Sequence, residues 1–131
     1  MTEPTWVNRE ECLAIHEMML AQLGGLAGLR DQGLLESALS RPRNLFAHGS
    51  PAHAELAASY AAGIILNHPF LDGNKRTGFL VAAVFLEVNG FEFTATEESV
   101  VVKTVALAAG KLKEKAYAAW LQENLRKHRW S

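Results

Sequence analysis

Near the middle of the chain, His68-Pro69-Phe70-Leu71-Asp72-Gly73-Asn74-Lys75-Arg76-Thr77-Gly78 gathers a histidine, a carboxylate, an amide and two cations around one glycine. His68 precedes Pro69, which predicts an extended residue that ends the helix before it. Asp72-Gly73-Asn74 predicts a tight turn, with Gly73 free to take positive φ. A helix that begins at Asn74 or Lys75 leaves its first backbone N–H groups unpaired at the positive end of the helix dipole. Lys75 and Arg76 then lie in the first turn, where each cation is disfavoured by ~0.3–1 kcal/mol. Asp72 alone does not balance them, so the turn is built to receive an anion of several charges, and phosphate fits. Asp72 suits a Mg²⁺ that bridges phosphates, because that ion needs only one or two protein carboxylates. His68 is the residue type that most often serves as a general base. The chemistry read from these residues is phosphoryl or nucleotidyl transfer: His68 deprotonates a hydroxyl of a second substrate, and the protein supplies positioning and charge stabilisation. Taken singly, each residue has a plainer role: a structural histidine, an N-cap aspartate, a solvated basic face, and Phe70 as a core anchor. The whole string carries the reading.

Helical segments must position that turn. Residues 54–67 read as a helix whose alanines (Ala57, Ala58, Ala61, Ala62) and Gly63 allow close approach, ending on Ile64, Ile65 and Leu66. Residues 75–89 are apolar nearly all round, hence buried, and Asn89-Gly90 signals the end of that helix. Upstream, Asn8 and Glu11 form a capping box for a helix over 8–23 that carries Val7, Cys12, Ile15, Met19 and Leu23 on one face. His16 and Glu17 in that helix read as a boundary histidine beside a solvated acid. Gly24-Gly25 ends it. Asp31 caps a short helix over 32–40, which Arg41-Pro42-Arg43 stops. Residues 44–53 are the longest irregular stretch. Downstream, 91–95 alternates apolar and polar residues and has room for one short strand. Thr96 caps a helix that runs toward Gly110, with Glu97 and Glu98 in its first turn. A last helix spans roughly 113–126, and a basic tail, Arg126-Lys127-His128-Arg129, follows. The expected fold is all-α: a compact bundle of about six helices with at most one short β element.

The totals agree with a globular chain. Its 131 residues, 49% hydrophobic and 21% charged, suit a single domain over 1–131 with a core of its own. The net charge of −1 gives no nucleic-acid footprint, so direct nucleic-acid binding is not expected. The single Cys12 has no internal disulfide partner and reads as a small buried hydrophobe in a reducing compartment. Residues 1–6 show neither the basic flank nor the apolar stretch of a signal peptide. No apolar run approaches the ~20 residues that span a bilayer. A soluble cytoplasmic protein is expected.

His-Pro-Phe-x-Asp-Gly-Asn-Lys-Arg over 68–76 resembles the signature of the Fic/Doc superfamily, and specifically its Doc (death-on-curing) branch. The stretches Gly-Leu-Arg-Asp-x-Gly-Leu-Leu-Glu-Ser-Ala-Leu over 28–39, Arg41-Pro42-Arg43 and Phe85-Leu86-Glu87-Val88-Asn89-Gly90 resemble the same branch, so the likeness covers nearly the whole chain. The resemblance implies His68 as the base that activates a target hydroxyl and Asp72 as the Mg²⁺ ligand. It implies Gly73 and Asn74 as the phosphate nest and Arg76 as a phosphate contact. The AMP-transferring Fic branch has glycine where this chain has Lys75, and a further arginine where it has Phe79. Lys75 fills and charges the nest, so the nucleotide is expected not to sit as in AMP-transferring members. The Doc branch implies a reversed nucleotide that presents its γ-phosphate, hence a Mg-ATP-dependent protein kinase. The implied target is a hydroxyl of a translation factor, elongation factor Tu, whose modification shuts down translation. AMP transfer to a protein hydroxyl and a non-catalytic antitoxin-binding module are the alternatives.

Many Fic proteins restrain themselves with a segment Ser/Thr-x-x-x-Glu-Gly/Asn. Only Thr94-x-x-x-Glu98 fits its first half here, and Ser99 follows where glycine or asparagine is expected. The resemblance therefore implies a toxin of a toxin–antitoxin system, inhibited in trans by a small antitoxin that docks in a groove near the turn. The small-residue face of the helix over 54–67 and the stretch 44–53 are the expected walls of that groove.

Overall fold

A computed structural model describes residues 2–128; Met1 and Arg129, which belong to the terminal stretches read above, lie outside them. In chain order the elements are α1 (Arg9–Leu23), α2 (Gln32–Ala47), α3 (His53–Asn67), α4 (Asn74–Val88), β1 (Phe91–Phe93), α5 (Glu97–Ala108), α6 (Glu114–Glu123) and β2 (Leu125–Lys127). The all-α expectation holds: six helices and one two-stranded sheet among the described residues.

Helix α3 is the axis. Every residue from Leu56 to Ile65 is buried, because α2, α4, α5 and α6 all pack on it. Its small side chains let those neighbours approach. Against it runs α4, so close at Gly78 that an added Cβ would stand 2.7 Å from Ile65 Cγ1 and 3.1 Å from the Ala61 carbonyl oxygen. The buried face of α4 (Phe79, Val81, Ala82, Phe85, Leu86) completes the core with Leu35, Phe70, Tyr117 and Leu121. Tyr60 crosses it to pin the N-terminal segment, accepting from Val7 N at 3.0 Å and donating to Val7 O at 3.2 Å. Cys12 is buried, as its helical spacing predicts.

The expected caps form. Asn8 and Glu11 make a reciprocal capping box, Asp31 accepts from Leu34 N at 2.9 Å, and Thr96 accepts from Ser99 N at 3.2 Å. Two boundaries differ from expectation. Pro42 does not stop α2, which continues to Ala47. Proline costs the bond to the Ala38 carbonyl, but tertiary contacts hold the extra turn. Arg41 donates to the Ser59 carbonyl at 2.8 Å and to Glu114 at 2.7 Å, and Phe46 meets Trp6 edge-on with Arg43 over the same indole. At the other end, the last helix stops at Glu123 rather than running to residue 126, and part of the basic tail becomes β2. It pairs antiparallel with β1, placing Arg126 opposite Glu92 in a two-pronged ion pair of 2.9 and 3.0 Å. The short β element read at 91–95 thus has its partner in the C-terminal stretch.

Candidate active site

The loop between α3 and α4 carries the motif, and its first residue takes an uncommon conformation. His68 ends α3 as expected but is not extended: it is left-handed, at φ 50° and ψ 57°, the sole non-glycine with positive φ among the described residues. Such a backbone costs ~1–3 kcal/mol and persists only where neighbours hold it. Arg30 is that neighbour. Its Nε donates to the His68 carbonyl at 2.6 Å and its Nη2 to the Asn67 carbonyl at 2.8 Å, satisfying carbonyls that the end of α3 leaves open. The result turns the chain sharply and presents the exposed His68 imidazole beside the start of α4.

The side chain of Asn74 locks the turn from inside. It is buried, accepts from Phe70 N at 3.0 Å and donates to Phe70 O at 3.0 Å, which fixes the orientation of its amide. The same amide nitrogen stands 3.3 Å from His68 Nδ1. With a donor at that position, the neutral imidazole accepts at Nδ1 and holds its hydrogen on Nε2. Asn74 therefore works through its side chain as a strut, and contributes to an anion site only by its place in the first turn of α4.

Asp72 is exposed, yet its carboxylate is aimed. Oδ1 accepts from Gly73 N at 2.9 Å and Oδ2 from Leu26 N at 3.1 Å. Gly73 has φ 78° as expected, and a Cβ there would overlap Met19 Cε, so α1 closes the space behind the turn. His16 of α1 is buried rather than at a boundary; its Nε2 lies 2.9 Å from the Asp72 carbonyl and its ring stacks on Phe70 at 3.8 Å. The connection from Gly24 to Asp31 embraces the turn with further backbone bonds, Arg30 N to Pro69 O at 2.7 Å and Leu71 N to Gly28 O at 3.1 Å.

No side chain caps the N-terminus of α4. Lys75 is exposed there, and Arg76 is half-buried with its Nη2 3.4 Å from the exposed Glu97 and its buried Nε without a partner among the described residues. Open helix N–H groups, two cations and an orphaned guanidinium N–H fit a polyphosphate. The described residues hold no cluster of three or more metal-binding side chains, so an ion on Asp72 would take its other ligands from phosphate and water. His68, Asp72, Gly73, Asn74, Lys75 and Arg76 thus lie together around one helix terminus.

The expected groove walls are elsewhere. The small-residue face of α3 is buried against its neighbours, and the stretch around residues 48–52 lies at the other end of α3, about 20 Å away by helix rise. A cleft of about 770 Å³ opens at that far end between Leu45, Glu55, Glu114 and Gln122. Beside the candidate site is a smaller cleft of about 170 Å³ between α4 and α5, lined by Lys75, Arg76, Phe79, Val101 and Val105.

Sequence reasoning missed His16, Leu26 and Arg30. Leu26 acts through its backbone, which no side-chain pattern reports. Arg30 sits inside a stretch that already resembled the Doc branch, and that was the available signal. Comparison with known proteins agrees with the resemblance read from the sequence. The family model described as Fic/DOC family matches residues 6–86, more than half of the chain. A protein named Toxin Doc from Mycolicibacterium smegmatis (strain ATCC 700084 / mc(2)155) is 36% identical over 98 residues, which cover 72% of this chain and 71% of that one. One named Protein kinase doc from Escherichia phage P1 is 30% identical over 117 residues, covering 88% of this chain and 92% of its own length.

Proposed function

The chain belongs to the Fic/DOC family, and from that premise we propose that it is the toxin of a toxin–antitoxin pair, acting as a Mg-ATP-dependent protein kinase. Its similarity to proteins named for toxin and kinase activity supports a phosphoryl or nucleotidyl transferase. The finer reading is transfer of the γ-phosphate to a serine or threonine hydroxyl of a translation factor, with elongation factor Tu as the expected substrate. The observation that carries it is the uncapped α4 terminus charged by Lys75, with His68 and Asp72 held at its mouth.

In this reading the first N–H groups of α4, Lys75 and Arg76 bind the polyphosphate and stabilise the charge that develops on the transferred group. Arg76 exchanges its long contact with Glu97 for phosphate. Asp72 would hold a magnesium ion, which would supply charge neutralisation to the bound phosphates. His68 takes the proton of the attacking hydroxyl. Its lone pair at Nδ1 faces Asn74 at the longest distance among the bonds that tie this turn, 3.3 Å, so proton uptake needs that contact to open or the ring to exchange tautomer. Lys75 occupies the nest and favours a nucleotide that offers its γ- rather than its α-phosphate. The cleft between α4 and α5, apolar and continuous with Lys75 and Arg76, is the groove in which an antitoxin segment docks to block the site in trans.

A paired-label assay tests this. Purified protein, Mg²⁺ and elongation factor Tu are incubated with ATP labelled at the γ- or the α-phosphate. The kinase reading expects γ-label alone on the target, lost with His68→Ala. Retention of the α-label would make the protein an AMP transferase. Transfer of neither label, with growth inhibition unchanged in His68→Ala and Asp72→Ala, would leave a non-catalytic binding module.

A further inference from the structure

His16 is a buried polar side chain with no part in the chemistry above. Only 3% of it is exposed, and it lies flat on Phe70, ring planes 10° apart. Packing alone would be served as well by a phenylalanine, without the cost of burying an imidazole. What the imidazole adds is one bond. The Asp72 carbonyl only accepts, so His16 Nε2 carries the hydrogen and donates to it over 2.9 Å.

That carbonyl belongs to the peptide unit whose N–H is Gly73, and Gly73 N–H is the donor that holds Asp72 Oδ1. The unit precedes a glycine at φ 78°, a place where the peptide plane is intrinsically free to rotate. A flipped plane would turn Gly73 N–H away from the carboxylate and release it from one of its two anchors. We infer that His16 is a positioning residue for the transfer site: by holding the Asp72 carbonyl it fixes the peptide plane that aims the Asp72 carboxylate and starts α4. This rests on the transfer chemistry proposed above; Leu26 N supplies the other anchor and is untouched by changes at position 16.

Two variants separate positioning from packing. His16→Phe keeps the ring on Phe70 and removes the donor, whereas His16→Gln removes the ring and places an amide N–H where Nε2 stood. The expected result is a Phe variant at least as heat-stable as the parent whose kcat for γ-phosphate transfer falls on the order of 10–100-fold, with KM for the protein target unchanged. The Gln variant keeps most of the parental kcat despite its lost stacking. Hydrogen exchange at the Gly73 amide gives a readout free of the reaction: faster in His16→Phe, near parental in His16→Gln. A Phe variant as active as the parent, or a Gln variant as impaired as the Phe one, overturns the inference. If the parent transfers no label, the kinase reading fails by itself. Exchange at Gly73 then still decides the role of His16, and equal rates in all three proteins overturn it.

Discussion

At the scale of single residues, the site has an ordinary set of groups in an unusual backbone. His68 occupies a conformation that favours glycine, and the chain accepts the cost to aim one imidazole. His68→Gly should therefore relieve strain and raise stability by about 1 kcal/mol, measured by denaturant midpoint, while γ-phosphate transfer disappears. His68→Ala should lose transfer without that gain. A glycine variant no more stable than the alanine variant would show that the left-handed backbone is not strained. The motif string was legible in sequence because its members are neighbours: His68, Asp72, Asn74, Lys75 and Arg76 fall within nine positions. The conformation of His68 was not, since proline after it argues for an extended residue. Arg30, which imposes the turn, is 38 positions away.

At the scale of elements, the connection between α1 and α2 is as much a part of the site as the motif loop. All of its residues but Leu29 are exposed, which reads in sequence as an ordinary loop, yet it ties the end of α3 and one carboxylate oxygen of Asp72. Arg30→Ala should cost ~1–3 kcal/mol of stability through two charge-assisted bonds, and lower transfer by more than that loss of folded protein explains. Arg30→Lys should rescue little, because a single ammonium cannot span the two carbonyls that the planar guanidinium bridges. Thermal melts and initial rates on the two variants check both statements; full rescue by lysine would reduce the role of Arg30 to its charge. Helix caps were legible because each is a local pattern of three or four residues. The continuation of α2 through Pro42 was not, because its support comes from Ser59, Glu114 and Trp6, which are distant in sequence.

At the scale of the molecule, a helix with small residues on every side organises the core, and its buried polar groups leave a signature in pH. Burial pushes the Cys12 thiol from 9.0 up to about 12, and the Tyr60 and Tyr117 hydroxyls from 10.0 up to about 12. All three stay neutral in the folded state while the unfolded chain ionises first. Their contribution is whole below pH 9 and is lost as pH rises toward 12, at up to about 1.4 kcal/mol per pH unit for each group. Denaturant midpoints between pH 8 and 11 should fall along this limb, and Cys12→Ala should move its onset from near 9.0 toward the tyrosine value of 10.0. A flat alkaline profile would contradict the burial of these groups. The six-helix architecture was legible because helical periodicity and caps run the length of the chain. The pairing of β2 with β1 was not, because three residues carry no period of their own.

The grip of the α1–α2 connection on Asp72 has a consequence for inheritance. A Cβ on Gly25 would stand 2.8 Å from Asp72 Oδ2, and a Cβ on Gly73 would overlap Met19 behind the same turn, so two glycines 48 positions apart leave no room for side chains on either side of it. Where a cell survives only by losing this activity, the surviving genes need not be broken at the motif. A single substitution at Gly25, strained at φ 122° and crowded against Oδ2, is expected to displace the carboxylate while the whole motif stays in place. A population can thus carry an intact-looking gene that has fallen silent through a residue outside the signature.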